Sequence, residues 1–255
     1  MKYTLMNLVV SVGLLFAFTI YSLAQSPKFK ALVIAERGGP HEGFVLAALG
    51  WLDKLAKENN FEYTLVNNTN EMNDEFLSKY RVFIQLNYPP YMWTDIAKAA
   101  FVKYVGEGRG GWVGFHHASL LGEFDGYPMW DWFSEFLGGI RYENYIAETA
   151  SGTVNVEDRN HPVMKGVSAS FMVTDDEWYI FNKNPRPGVH VLANVDESTY
   201  HPDTKIKMGD HPVVWVNEKM KARNVYFLMG HHANLLKNDA FKTMVKNAIL
   251  WASGQ

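Results

Sequence analysis

The 255-residue chain has no cysteine. That excludes disulfides, thiolate metal ligands, a cysteine nucleophile and a lipid-modified cysteine anchor. Basic charge is not in excess either: 24 Lys and Arg stand against 27 Asp and Glu, a net charge of −3. No positive field is therefore available to draw nucleic acid. The glycine loop after the first predicted strand carries no G-x-G-x-x-G fingerprint, which sets nucleotide binding aside. H-E-x-x-H is missing, so no specific metalloenzyme signature is present, and Ser119 sits in no G-x-S-x-G elbow. Repeats and low-complexity segments are lacking as well.

What is present is ordinary globular composition, 47% apolar and 20% charged, with 15% aromatics including eight Trp. The N-terminus reads as an export signal. Lys2 precedes an apolar stretch from Leu8 to Leu23, and Ser22-Leu23-Ala24 offers the small residues of a cleavage site before Gln25. The stretch is short for a membrane span. Residues 1–24 are thus expected to be a signal peptide and 25–255 one domain of a periplasmic or secreted protein, with no stable membrane association after cleavage. About 230 residues suit a single α/β domain.

The mature chain alternates strand and helix signals. Apolar runs at Phe29–Ala35, Phe61–Val66, Arg81–Leu86 and Gly110–Phe115 predict buried strands, and Phe44–Asn59 has helical spacing. Asn73 and Thr94 read as N-caps of two further helices. This order implies a mostly parallel sheet with right-handed crossovers. After Ala118 the texture changes. The aromatics between Glu123 and Gly139 predict a helix, and Tyr142–Val156 and Ser170–Phe181 alternate like antiparallel strands. Val189–Val195 and Pro212–Val216 predict more strands, Asn224–Gly230 the last long one, and Asp239–Ala252 a closing helix.

Chemistry collects at predicted strand ends, where open α/β sheets bind ligands. His41 follows the first strand, His116-His117 the fourth, and His231-His232 the last; Glu177 lies in Thr174-Asp175-Asp176-Glu177-Trp178-Tyr179. Three histidines and a carboxylate suit a divalent transition metal of the zinc type, and a neutral imidazole suits a general base. His41, His116 and His231 are expected as metal ligands, with His116, His231 and Glu177 carrying the catalysis. His117, His232, Arg37, Tyr88 and Trp93 are expected to contact substrate, the aromatics by stacking on a sugar or by fixing their loop. Glu36 and Arg37 either bind substrate hydroxyls or pair with each other. His161, His201 and His211 each precede a proline and read as turn residues; His190 reads as an outward strand position.

As a set, Gly114-Phe115-His116-His117-Ala118, the early glycine loop with His41, the Thr174–Tyr179 stretch and Gly230-His231-His232 resemble the ThuA-like family, named for trehalose utilisation, over roughly residues 28–253. The resemblance implies a flavodoxin-like fold related to class I glutamine amidotransferases: a mostly parallel sheet flanked by helices, with antiparallel strands in the C-terminal half. Amidotransferase chemistry is excluded, because it uses a cysteine after the strand that here ends in Phe115-His116-His117. The resemblance implies a small-molecule carbohydrate as partner, with keto-glycosides suggested by the family's company of sugar-oxidising genes. The expected activity is metal-assisted hydrolysis, elimination or isomerisation. A non-catalytic sugar-binding module and a partner subunit of a sugar dehydrogenase are the alternatives, and a homo-oligomer stays open.

Overall fold

The apolar runs expected to be buried pair as neighbours. In the structure, a computed structural model that describes residues 26–121, 126–146 and 148–255, β1 (Lys30–Ala35), β2 (Glu62–Val66), β3 (Val82–Leu86), β4 (Gly111–Phe115) and β11 (Asn224–Phe227) run parallel in the order β2-β1-β3-β4-β11. This is the flavodoxin-like order, in which the connection reverses between β1 and β3 and opens a crevice at the strands' carboxyl ends. β3, β4 and β11 are buried at every position, as strands covered on both faces must be. The crossovers are α1 (Glu42–Asn59), α2 (Asp74–Leu77) and α3 (Asp95–Gly106). Asn73 and Thr94 cap α2 and α3, their side chains accepting the N–H groups of Phe76 and Ala97.

The sheet continues antiparallel through β10 (Pro212–Val216), β9 (His190–His201), β6 (Ala150–Val156) and β7 (Ser170–Asp176). Successive reversals leave β7 pointing the same way as the parallel strands, so its carboxyl end faces the crevice side. Register shifts along β9 and β6 bend this half of the sheet. β5 (Tyr142–Tyr145) and β8 (Tyr179–Phe181) form a separate antiparallel pair. The final helix α5 (Asp239–Ser253) buries Phe241, Met244, Val245, Ala248 and Ile249, and its Asn238 cap accepts from Phe241 N–H.

The helix expected over 123–139 is cut down to α4 (Asp131–Phe136). Pro128, three residues before it, lacks the N–H that an earlier start would need in its interior. Its aromatics are core as expected: Phe133 and Phe136 pack on Phe101 and Trp112. The expected signal peptide lies outside the described residues. Among the described residues no helix is long and apolar enough to cross a membrane.

Candidate active site

Five segments deliver side chains to one rim. Glu36 leaves β1, His41 precedes α1, His116 and His117 leave β4, Glu177 follows β7, and His231 lies beyond β11. Ligand atoms of His41, His116, Glu177 and His231 lie within 4.8 Å of one another, a set able to hold a cation. Glu36, His41 and His117 form a second such group, so His41 belongs to both.

The backbone is bent to make this convergence. Asn87, His116 and Asp175 have φ values of 55°, 42° and 56°, the left-handed region that non-glycine residues enter at a cost. Gly230 has φ 155°, and a Cβ there would stand 2.9 Å from Cβ of His116, so only glycine lets the β4 and β11 loops approach this closely. The Asn87 amide donates to the Gly230 carbonyl at 2.8 Å. Asp176, fully buried, accepts the N–H groups of Gly230 and His231 at 3.2 and 3.0 Å, which ties the end of β7 to the loop after β11. Burial raises the Asp176 carboxyl to about 6, although those N–H groups oppose the rise.

Proton accounting defines the chemistry. Nδ1 of His116 lies 2.8 Å from the Leu228 carbonyl, which can only accept, so the hydrogen of the neutral ring sits on Nδ1. Its Nε2 lone pair then faces Oε2 of Glu177 at 3.0 Å. Burial drives His116 down to about 3, outweighing its Glu177 contact, so the ring is neutral at ordinary pH. Glu177 would be raised by burial, and His116, His231 and His41 lower it well below the usual carboxylate range only where they turn a hydrogen toward it, which His116, with its hydrogen on Nδ1, does not. Two lone pairs thus oppose each other where a positive charge is wanted. Nδ1 of His231 lies 3.2 Å and Nε2 of His41 3.9 Å from the same oxygen. Both nitrogens of His41, Nδ1 of His231 and Oε2 of Glu36 are buried without a hydrogen-bond partner. Burial lowers His41, but the carboxylates of Glu177 and Glu36 on either side reverse this and raise it. No lysine or arginine ion-pairs with Glu36 or Glu177 among the described residues; their partners are all histidines.

Not every residue expected at the site arrives there. Trp93 is 4% exposed and packs against Phe83, Phe101, Trp130 and Phe133, so its ring belongs to the core and not to a sugar platform. Tyr88 is likewise buried, at 3%, with its hydroxyl 3.5 Å from the Met92 carbonyl. Arg37 is exposed and lines a groove with Asn67, Asn68, Asn70 and Glu71; Glu36 pairs with histidines and not with it. His232 sits at the edge, against the Asp175 carbonyl, with its side chain 38% exposed. Ser119 is buried and donates to the His116 carbonyl, with the Tyr226 hydroxyl 2.7 Å away, so its oxygen is structural. His211, expected in a turn, is instead a buried partner of Glu197 at 2.9 Å. Tyr179, which the Thr174–Tyr179 motif carries without a role, stacks on His116 with centroids 4.1 Å apart. Asp176 and Gly230 also lie in the motifs above without a role, and Asn87 reads in the sequence only as part of a loop; each acts through backbone contacts that residue type alone does not announce.

A flavodoxin-like sheet with an imidazole and carboxylate cluster on its carboxyl rim defines the class. The family model for ThuA, trehalose utilisation, matches residues 30–252. The chain belongs to this carbohydrate-related family. A thua-like protein of Bacteroides uniformis ATCC 8492 is 30% identical, with TM-score 0.80 over 89% of this chain and 92% of that one. A thua-like protein of Parabacteroides merdae ATCC 43184 is 18% identical, with TM-score 0.65 over 89% and 90%. The fold also recurs in a β-galactosidase of Bacillus circulans, 17% identical with TM-score 0.56 over 88% of this chain and 31% of that enzyme. A comparison with curated proteins found no match.

Proposed function

We propose that the protein is an exported, metal-dependent enzyme acting on a sugar or keto-glycoside, by hydrolysis, elimination or isomerisation. The observation that carries this reading is the opposed pair of lone pairs on His116 Nε2 and Glu177 Oε2, 3.0 Å apart, with orphaned nitrogens of His41 and His231 beside them. Such an arrangement is costly unless a cation sits among the four groups. Imidazole and carboxylate donors favour a zinc-type ion, and with four protein ligands the water or sugar oxygen would take a fifth position. His41, His116, His231 and Glu177 would hold it; the ion would polarise a sugar carbonyl or acidify a water. The chain's own residues then orient the sugar and move protons. Leu228, through its carbonyl, fixes the His116 ring, and Tyr179 stacked on that ring keeps it facing inward. Membership of a trehalose-utilisation family supports carbohydrate as the substrate class, and the leader-like residues 1–24 support export.

The test is metal analysis of the purified protein before and after chelation, beside product analysis on trehalose and its keto derivatives. The expected result is about one equivalent of transition metal, lost together with turnover in His116→Ala. Absence of bound metal together with undiminished turnover in His116→Ala overturns the reading. Sugar binding with no product over hours makes the protein a binding module instead. Deletion of residues 2–24 should hold the protein in the cytoplasm; periplasmic recovery of that variant overturns the export.

A further inference from the structure

Glu36 serves two imidazoles at once. Its Oε1 lies 3.0 Å from Nδ1 of His117 and its Oε2 3.4 Å from Nδ1 of His41. An ionised carboxylate only accepts, so the hydrogen of the His117 contact belongs to the imidazole, on Nδ1. The approach to His41 is an ion-pair distance with no hydrogen bond made, and it leaves the His41 tautomer unassigned. The neutral His117 ring must then carry its lone pair on Nε2. Its Nε2 makes no hydrogen bond among the described residues, and its side chain keeps 13% exposure. The His117 ring lies 3.9 Å from that of His41, one of the four groups assigned above to the cation.

We propose that Glu36 holds His117 in its Nδ1–H form, and that Nε2 of His117 is the base that takes a proton from the bound sugar. This rests on the reading that the substrate is a sugar bearing a carbonyl. The step balances. A C–H bond beside the carbonyl breaks, its proton forms an N–H bond at Nε2, and its electron pair moves onto the carbonyl oxygen. Return of the proton to the former carbonyl carbon, with the hydroxyl proton of the deprotonated carbon passing to the enolate oxygen so that this C–O becomes the new carbonyl, completes an isomerisation. Transfer of the proton to the departing glycosidic oxygen, as that C–O bond breaks, completes an elimination. Either way His117 ends as it began.

Two measurements test this. NMR of the full chain with heavy-nitrogen histidine reads the tautomers directly. His117 should report hydrogen on Nδ1, and Glu36→Gln should convert it to a tautomer mixture; a wild-type His117 protonated at Nε2 overturns the proposal. Second, deuterium uptake from solvent is followed in a methyl keto-glucoside, with metal content measured on the same samples. His117→Gln should keep its metal and lose exchange by about 100- to 10,000-fold. Undiminished exchange, or loss of metal in that variant, overturns the base assignment. A wild type that exchanges no deuterium overturns both the base and the keto-sugar reading. A wild type that exchanges without metal overturns the metal reading alone.

Discussion

Nε2 of His116 and Oε2 of Glu177 face each other at 3.0 Å while the other nitrogen of the ring is committed to the Leu228 carbonyl. This single contact distinguishes a histidine kept for a cation from one merely satisfied by its surroundings. A satisfied histidine would present its hydrogen to the carboxylate. Here the hydrogen is already spent.

Glu177→Gln is the direct consequence. The amide can donate to the His116 lone pair, so the fold should survive and even gain a hydrogen bond. Metal affinity should fall by more than the roughly 10- to 100-fold typical of losing an outer-shell partner. Competition with a fluorescent chelator measures it. Wild-type affinity in this variant would remove Glu177 from the ligand set.

Gly230→Ala should act on the same contact from the other side. The added Cβ would stand 2.9 Å from Cβ of His116 and 3.2 Å from Oδ1 of Asn87, at a φ of 155° that alanine does not readily adopt. A loss of about 1–3 kcal/mol in thermal or denaturant unfolding is expected. Because His116 must move, metal retention should drop more than this stability loss explains. An unchanged unfolding midpoint would mean that the two loops do not need glycine to meet.

The architecture was legible because buried parallel strands write themselves as apolar runs; β1 and β3 run into polar residues at a glycine or proline loop, and β4 runs into His116-His117. The convergence of His41, His116, His231 and Glu177 followed from the same logic, since every strand bearing them ends on one rim. Glu36 was harder. Beside Arg37 it looked like half of a surface pair, and only the fold turns it toward His41 and His117. Asp176 was overshadowed by Glu177, because its work is to accept backbone N–H groups 54 and 55 residues away. The helix expected over 123–139 failed where an aromatic-rich pattern outweighed Pro128. Tyr88 and Trp93 misled because a buried aromatic and a sugar platform are spelled the same way.

Trp93 offers a check on that last point. With its ring packed among Phe83, Phe101, Trp130 and Phe133, Trp93→Ala should destabilise the fold by about 3–5 kcal/mol. Sugar affinity and metal content of the folded fraction should stay at wild-type values, read by calorimetry at low temperature. A stable Trp93→Ala protein that no longer binds sugar would return the ring to the site.

Two buried carboxylates should respond to pH with opposite sign. Burial raises Asp176 from 3.8 to about 6, so its ionised form is disfavoured in the fold. Its contribution is most favourable below about 4 and is lost as pH rises through about 6, at a cost of order 3 kcal/mol once ionised. Glu197 is the reverse. Burial alone would raise it, but His211 at 2.9 Å and the N–H groups of Met208 and Gly209 overcome this and lower it. Its contribution is present above 4.5 and lost as pH falls through its lowered value. Denaturant unfolding from about pH 2 to about 7, a window that reaches below 4.5 for Glu197 and through about 6 for Asp176, separates them by difference. Relative to wild type, Asp176→Asn should grow more stable as pH rises, because the amide keeps an acceptor for His231 N–H without a charge to desolvate. Over the same rise Glu197→Gln should lose ground, since the His211 contact it weakens is worth most when the glutamate is ionised. Parallel pH profiles for wild type and Asp176→Asn would show that Asp176 keeps its charge at no cost, and that its two backbone contacts alone hold the β7 and β11 ends together.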